Sequence, residues 1–303
     1  MKKKLPNFLI VGAAKSGTSS LHNYLNQHPD IFMPSYKNGI KVKEPRFFIN
    51  DVLNSERVPN MISSINEYKS LFENVSKELC VGEATVLYLY YYKAAIKNIK
   101  RYLGSNVKII IMLRNPVTRA FSAYNHVART NQENLSFKEA LAQNEFYRFK
   151  SDSNLTPLIM YKEMGLYYNM VKAYMDNFKD VHVIIYDEFR NKTSSVVNET
   201  LDFLGLDNKF DIDTSLKHNV GGKRWRSIYL KSLFMRDAFW KKPIRFIFPI
   251  FIRRFFTRYI RFIFMRDNQI LESEIRKELI NFFINDIEKL ENLLDIKLEA
   301  WKK

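Results

Sequence analysis

The sequence predicts an α/β protein, with a central and mainly parallel sheet flanked by helices. Three observations predict it. Short apolar runs at 8–13, 107–113 and 181–189 read as strands, the first two continuous enough to be covered on both faces. Longer stretches with helical spacing separate them, as crossover helices do between parallel strands. The 303 residues are 46% hydrophobic, enough for a sizeable core.

Taken in order, residues 8–13 open the sheet and lead into a helix over 19–27, with Leu21, Tyr24 and Leu25 at helical spacing. His28-Pro29 ends that helix, because a residue before proline disfavours the α conformation. The 30–80 region reads as loop-rich, and 79–82 as a short strand. "VKIIIML", 107–113, is a fully buried strand; Asn115-Pro116 turns the chain, and Val117 to Arg129 is helical. Residues 165–178 place Tyr167, Met170, Val171 and Tyr174 on one helix face. "VHVIIYDEF" (181–189) is a further strand, Val196 to Leu204 a further helix, and Glu272 to Leu294 a last amphipathic one. No repeat, low-complexity tract or clear linker divides the chain.

The formal charge of +16 points to anionic partners: nucleotide, membrane surface, acidic polysaccharide or nucleic acid. No nucleic-acid recognition motif is present, and no such partner is expected. A single cysteine, Cys80, excludes an intrachain disulfide and fits a reducing compartment. The basic start before Phe8 imitates a signal peptide, but its apolar part is too short and Lys15 interrupts it. No run of eighteen apolar residues occurs, so no transmembrane helix is expected. The expected location is the cytoplasm, or the inner face of its membrane.

The charge is concentrated. Between Lys223 and Arg266 stand thirteen basic residues and one acidic residue, Asp237. Within 246–265, Arg254, Arg258 and Arg261 share a helix face while aromatic rings take the others. An anionic membrane surface, an anionic acceptor beneath a lid, and ordinary packing with a solvated basic face all remain open for this segment.

The chemistry sits in "GAAKSGTSS", 12–20. Gly12 and Gly17 let the backbone approach a ligand, the amides of 16–19 face an anion at a helix N-terminus, and Lys15 adds a full charge. Thr18, Ser19 and Ser20 add hydroxyls. The plain alternative is a βα turn with a solvent-facing lysine. Lys15 precedes Gly17, so the Walker A order is absent. Arg114 ends its strand at the edge where open α/β sheets bind ligands, and Ser122 follows eight residues later on a helix.

These motifs resemble those of the sulfotransferases that use 3′-phosphoadenosine 5′-phosphosulfate (PAPS). "KSGTSSL" is similar to that family's 5′-phosphosulfate loop, and "LRNPVTRAFSAY" (113–124) to its 3′-phosphate motif. "LNQHPDI", "VKEPRFF" and "GEATVLYL" resemble the Golgi heparan-sulfate type and its bacterial relatives. The resemblance implies a P-loop-NTPase-like sulfotransferase fold over 1–303, as one domain with a basic aromatic helical insertion at about 227–270. It implies PAPS as donor, adenosine 3′,5′-bisphosphate as product, and a carbohydrate or glycolipid as acceptor. Lys15, Ser16, Gly17, Thr18 and Ser19 would hold the 5′ side of the donor, and Arg114 and Ser122 its 3′-phosphate. Gly222 and Lys223, in "HNVGGKRWR", would close over it; His218 there has no evident partner. Glu44 would be the base, against the plain alternative of a carboxylate paired with Lys43 or Arg46. Glu83 is a second candidate, as orienting group or structural hydrogen-bonder. Tyr167 aligns with a donor contact but reads as core.

The sequence departs from the family at Arg46, where histidine is usual, and at Val86, where proline is common. In-line sulfuryl transfer requires no metal, and no C-x-x-C or H-x-x-x-H is present. Two other classes remain: a P-loop kinase of small molecules, and a non-enzymatic protein of membrane surfaces or polyanions.

Overall fold

The computed structural model describes residues 5–34, 43–53, 57–58, 60–130, 132–207, 209–215 and 270–303, with the backbone of four short strands at 36–37, 40–41, 224–225 and 265–266. His218, Gly222, Lys223 and the expected insertion at about 227–270, Ile270 and the strand at 265–266 apart, lie outside the described residues.

The strands are β1 (Phe8–Gly12), β2 (Ile31–Phe32), β3 (Tyr36–Lys37), β4 (Ile40–Lys41), β5 (Cys80–Ala84), β6 (Lys108–Leu113), β7 (Val181–Ile185), β8 (Arg224–Trp225) and β9 (Met265–Arg266). Five of them form one sheet in the order β2-β5-β1-β6-β7, with every neighbouring pair parallel. The helices are α1 (Thr18–Leu25), α2 (Ile65–Ser70), α3 (Tyr92–Leu103), α4 (Pro116–Arg129), α5 (Phe137–Ala142), α6 (Glu145–Ser151), α7 (Tyr167–Asn177), α8 (Tyr186–Asn191), α9 (Thr193–Leu204) and α10 (Ser273–Leu294).

The period-two alternation of strands sends side chains to both faces, and both are apolar. Leu9, Val11, Ile109, Ile111 and Leu113 join one core with residues of α3, α4, α7 and α10. Phe8, Ile10, Ile110 and Met112 join a second with residues of α1 and α9. Each fully buried isoleucine contributes about 1.5–3 kcal/mol. Phe8 pairs with Gly82 across β1 and β5, and a Cβ on Gly82 would stand 2.2 Å from the Phe8 ring, so only glycine fits there.

Local signals explain the helix starts. Asn115 accepts from the amides of Val117 and Thr118 at 3.0 and 3.3 Å, and Pro116 follows at the first helical position of α4. Ser136 and Glu139 form a reciprocal capping box at α5. The strand expected over 181–189 stops at Ile185, and α8 begins at once. Asp187 and Glu188 then fall in a first helical turn, where the dipole favours carboxylates. α1 ends at Leu25, and the chain continues in tight turns to His28-Pro29, with the Gln27 and His28 amides donating to the Tyr24 and Leu25 carbonyls and the Asn26 side chain accepting from the Met33 amide at 3.1 Å. Among the described residues no helix is long and apolar enough to cross a membrane.

Candidate active site

β1, β5 and β6 deliver their carboxyl ends to one rim of the sheet. A cleft of about 1110 Å³ opens there, bordered by Lys15, Gly17, Thr18 and Ser19 from the first loop and α1. Lys43, Glu44 and Arg46 border it from a crossing segment, and Arg114 and Ser122 from β6 and α4. Lys15, Glu44, Arg114 and Ser122, far apart in the sequence, therefore share one cavity. Among its described lining residues, eight lysines and arginines stand against a single carboxylate, Glu44.

Gly17 makes the turn into α1. Its φ of 91° lies in the left-handed region, and a Cβ would approach the Tyr186 ring at 3.1 Å. Gly17→Ala is expected to cost about 1–2 kcal/mol from the backbone conformation alone, read as a lower thermal unfolding midpoint. The first amides of a helix have no intrahelical partner, and those of Gly17, Thr18 and Ser19 border the cleft. Ser16 lies beneath: its side chain is fully buried, its hydroxyl has no hydrogen-bond partner, and its amide donates to the Ala13 carbonyl at 3.3 Å.

Lys15 is half-buried. Burial chiefly, and then Arg129 and Arg114, lower its pKa to about 8, while Glu44 opposes the shift. Its cost of carrying charge is thus one that a bound anion would relieve. Lys43, nearly buried, donates to Ser19 Oγ at 2.9 Å and stands 3.8 Å from Glu44. Arg46 donates to Glu44 at 3.1 Å. Glu44 is thus both paired, as its plain reading expects, and exposed to the cleft.

Arg114 is braced on three sides. Its Nε donates to Thr118 Oγ1 at 3.0 Å, its Nη1 to the Lys15 carbonyl at 3.2 Å, and its guanidinium lies 4.9 Å from the Tyr186 ring centre. Tyr167 is core, fully buried, and its hydroxyl donates to the Arg114 carbonyl at 2.9 Å. It supports the arginine from behind without reaching the cleft. Glu83 is also fully buried behind the site.

The sequence motifs do not mark His126, Arg129 and Tyr186, and they offer Lys43 only as a partner of Glu44. Arg129 can only donate, so at 2.9 Å His126 Nδ1 accepts and its Nε2 carries the hydrogen. Burial, helped by Lys15 and Arg129, pushes His126 down to about 4, so it is neutral at neutral pH. The signal was available: Ser122, His126 and Arg129 follow one another at i, i+4 and i+7 on α4.

A family model described as "Sulfotransferase domain" matches residues 5–221. The chain is 27% identical over 214 residues to the bifunctional heparan sulfate N-deacetylase/N-sulfotransferase 2 of Homo sapiens, a match covering 67% of this chain and 22% of that protein. It is 24% identical over 206 residues to heparan sulfate glucosamine 3-O-sulfotransferase 3B1 of Mus musculus, covering 67% of this chain and 47% of that one. The chain thus spans less than half the length of these relatives. A crystal structure of a sulfotransferase from Alicyclobacillus acidocaldarius superposes with a TM-score of 0.74 at 34% identity, over 99% of this chain and 100% of that one. With the parallel sheet, the lysine-bearing loop at its rim and a family match over most of its length, the chain belongs to the sulfotransferase family of enzymes.

Proposed function

We propose that the chain moves a sulfuryl group from PAPS to a hydroxyl or amine of a carbohydrate. The observation that carries this reading is the placement of Lys15 with the open N-terminus of α1 and of Arg114 with Ser122 in one cleft, which Glu44 also borders. PAPS, when bound, supplies an activated sulfuryl group and two separate phosphate anions. The residues present suit it: an excess of cations, a helix N-terminus, and a lysine whose charge is costly without an anion.

In this reading the amides of Gly17, Thr18 and Ser19 hold the 5′-phosphate and Lys15 neutralises the oxygen that leaves with it. Ser16 shapes the turn beneath. Arg114 and Ser122 hold the 3′-phosphate, with Tyr167 fixing the Arg114 backbone. Glu44 takes the acceptor proton as the new bond to sulfur forms. Gly222 and Lys223 are assigned by resemblance to the segment that closes over the donor. The named relatives are sulfotransferases of heparan sulfate and its glucosamine, which supports a carbohydrate acceptor.

Arg114→Ala tests the two-phosphate grip. A charge-assisted hydrogen bond is worth about 1.5–3 kcal/mol, so affinity for adenosine 3′,5′-bisphosphate should fall about 10–100-fold by calorimetry. Affinity for adenosine 5′-phosphate should change little. Equal losses for both nucleotides would remove Arg114 from the 3′-phosphate.

A further inference from the structure

Glu83 stands where few carboxylates do. It lies on β5 opposite Leu9 of the central strand and is fully buried. Neither of its carboxyl oxygens makes a well-formed hydrogen bond, and the nearest donors are the Tyr88 and Thr85 hydroxyls. Tyr68 of α2, Tyr88 beyond β5 and Tyr174 of α7 surround it closely enough that its charge would raise the pKa of each. Tyr174 donates to the Tyr88 carbonyl at 2.9 Å, while Tyr88 Oη accepts from the Phe48 amide at 3.3 Å and keeps its own hydrogen directed to Glu83, and Tyr68 Oη is buried without a partner. Thr85, Glu44 and Arg46 also act on Glu83.

The segment carrying Glu44 lies over this pocket. The Arg46 amide donates to Thr85 Oγ1 at 3.3 Å, two residues beyond Glu83. Phe47 and Phe48, directly after Arg46, pack on Tyr68 with ring centres 4.6 and 5.2 Å apart. The Arg46 guanidinium therefore has two carboxyl groups within electrostatic reach, Glu44 and Glu83, and bonds to Glu44 at 3.1 Å.

We propose that Glu83 is a positioning residue for Glu44, working as a neutral carboxylic acid that leaves Arg46 committed to Glu44. This rests on the role of Glu44 in sulfuryl transfer. An ionised Glu83 would be a fully buried anion with only the Tyr88 and Thr85 hydroxyls to favour its charge, repelling Glu44 and drawing Arg46 inward. The neutral acid avoids both effects. Burial chiefly, with Glu44 adding to it, raises the Glu83 pKa to about 8, against the opposing hydroxyls of Tyr88 and Thr85 and the charge of Arg46. The sign follows: below about 8 the acid is neutral and Glu44 is held, and above it the carboxylate forms and the Glu44 segment is disturbed.

Glu83→Gln has the shape of the neutral acid and cannot ionise. It is expected to keep wild-type kcat near pH 7, with donor saturating, and to lose the fall in kcat that the wild type shows above about pH 8. Saturating donor matters, because bound anions keep Lys15 charged through the same range. In carbon NMR of glutamate-labelled wild-type protein, one carboxyl should titrate near pH 8, and the Glu44 signal should shift over the same range. That second shift should vanish in Glu83→Gln, while binding of adenosine 3′,5′-bisphosphate is unchanged. A drop in kcat of about tenfold or more at pH 7 with an unchanged unfolding midpoint would overturn the proposal, since the carboxylate would then be the working form. A Glu83 carboxyl that titrates below about 5, the ordinary range, would overturn it as well. The wild-type titration needs no acceptor and can be read even if Glu83→Gln fails to fold, so it fails or succeeds separately from the sulfuryl-transfer reading.

Discussion

Lys15→Met lowers kcat by about 10²–10³-fold, the usual cost of removing one preorganised charge partner from a developing oxyanion. The side chain is of similar length, so the loss reports charge and not packing. Lys15 sits on the loop between β1 and α1 at a φ of 70°, and its carbonyl accepts from Arg114 at 3.2 Å. The backbone thus directs the side chain to the rim whatever the substituent. Donor affinity falls as well, and it carries a pH signature. With the ammonium as the proposed working form and burial lowering its pKa to about 8, kcat/KM for the donor should decline as pH rises through that value. Lys15→Arg should recover part of the rate and move the decline to higher pH, because guanidinium stays charged. Steady-state transfer of labelled sulfate across the pH range measures both. A methionine variant with wild-type kcat would contradict the assignment.

Glu44→Gln lowers kcat by about 10²–10⁴-fold, the range for loss of a positioned general base. Glutamine keeps an oxygen for the Arg46 guanidinium, bonded at 3.1 Å in the wild type, so the segment should hold its place. The effect should therefore fall on kcat, with affinity for adenosine 3′,5′-bisphosphate near the wild-type value. This separates Glu44 from Lys15, whose loss affects both. Glu44→Asp should recover little, because a shorter side chain moves the oxygen away from both Arg46 and the acceptor. Calorimetry of the bisphosphate beside single-turnover kinetics checks the pair of expectations. Loss of nucleotide binding in Glu44→Gln would mark Glu44 as a donor-site residue.

What the sequence revealed follows from how its signals are encoded. Lys15 and Arg114 were legible because strand ends are legible: uninterrupted apolar runs stop where the chain reaches the rim, and the next charged residue faces the ligand edge. The parallel sheet followed from the same runs, and the structure adds that all pairs of the main sheet are parallel. α8 was hidden because "YDEF" continues an apolar strand with no capping residue before it. α3, with Ala95, Ile96 and Ile99 buried, is amphipathic but lies in a stretch that carried no motif. Lys43 was hidden differently: it pairs with Ser19, a contact made only by the crossing of two distant segments. The burial of Glu83 is likewise tertiary, since α2, α7 and the turn after β5 each supply one tyrosine around it.

The proposed reaction depends on a cleft that grips a nucleotide with phosphates on two sides of its ribose. The most direct measurement is calorimetric titration of the purified protein with adenosine 3′,5′-bisphosphate, adenosine 5′-phosphate and ATP, each with and without magnesium. The bisphosphate should bind tightest, removal of the 3′-phosphate should weaken binding about 10–100-fold, and magnesium should change neither value. Tightest binding of ATP, dependent on magnesium and indifferent to Arg114→Ala, would contradict that reading and point to phosphoryl transfer instead.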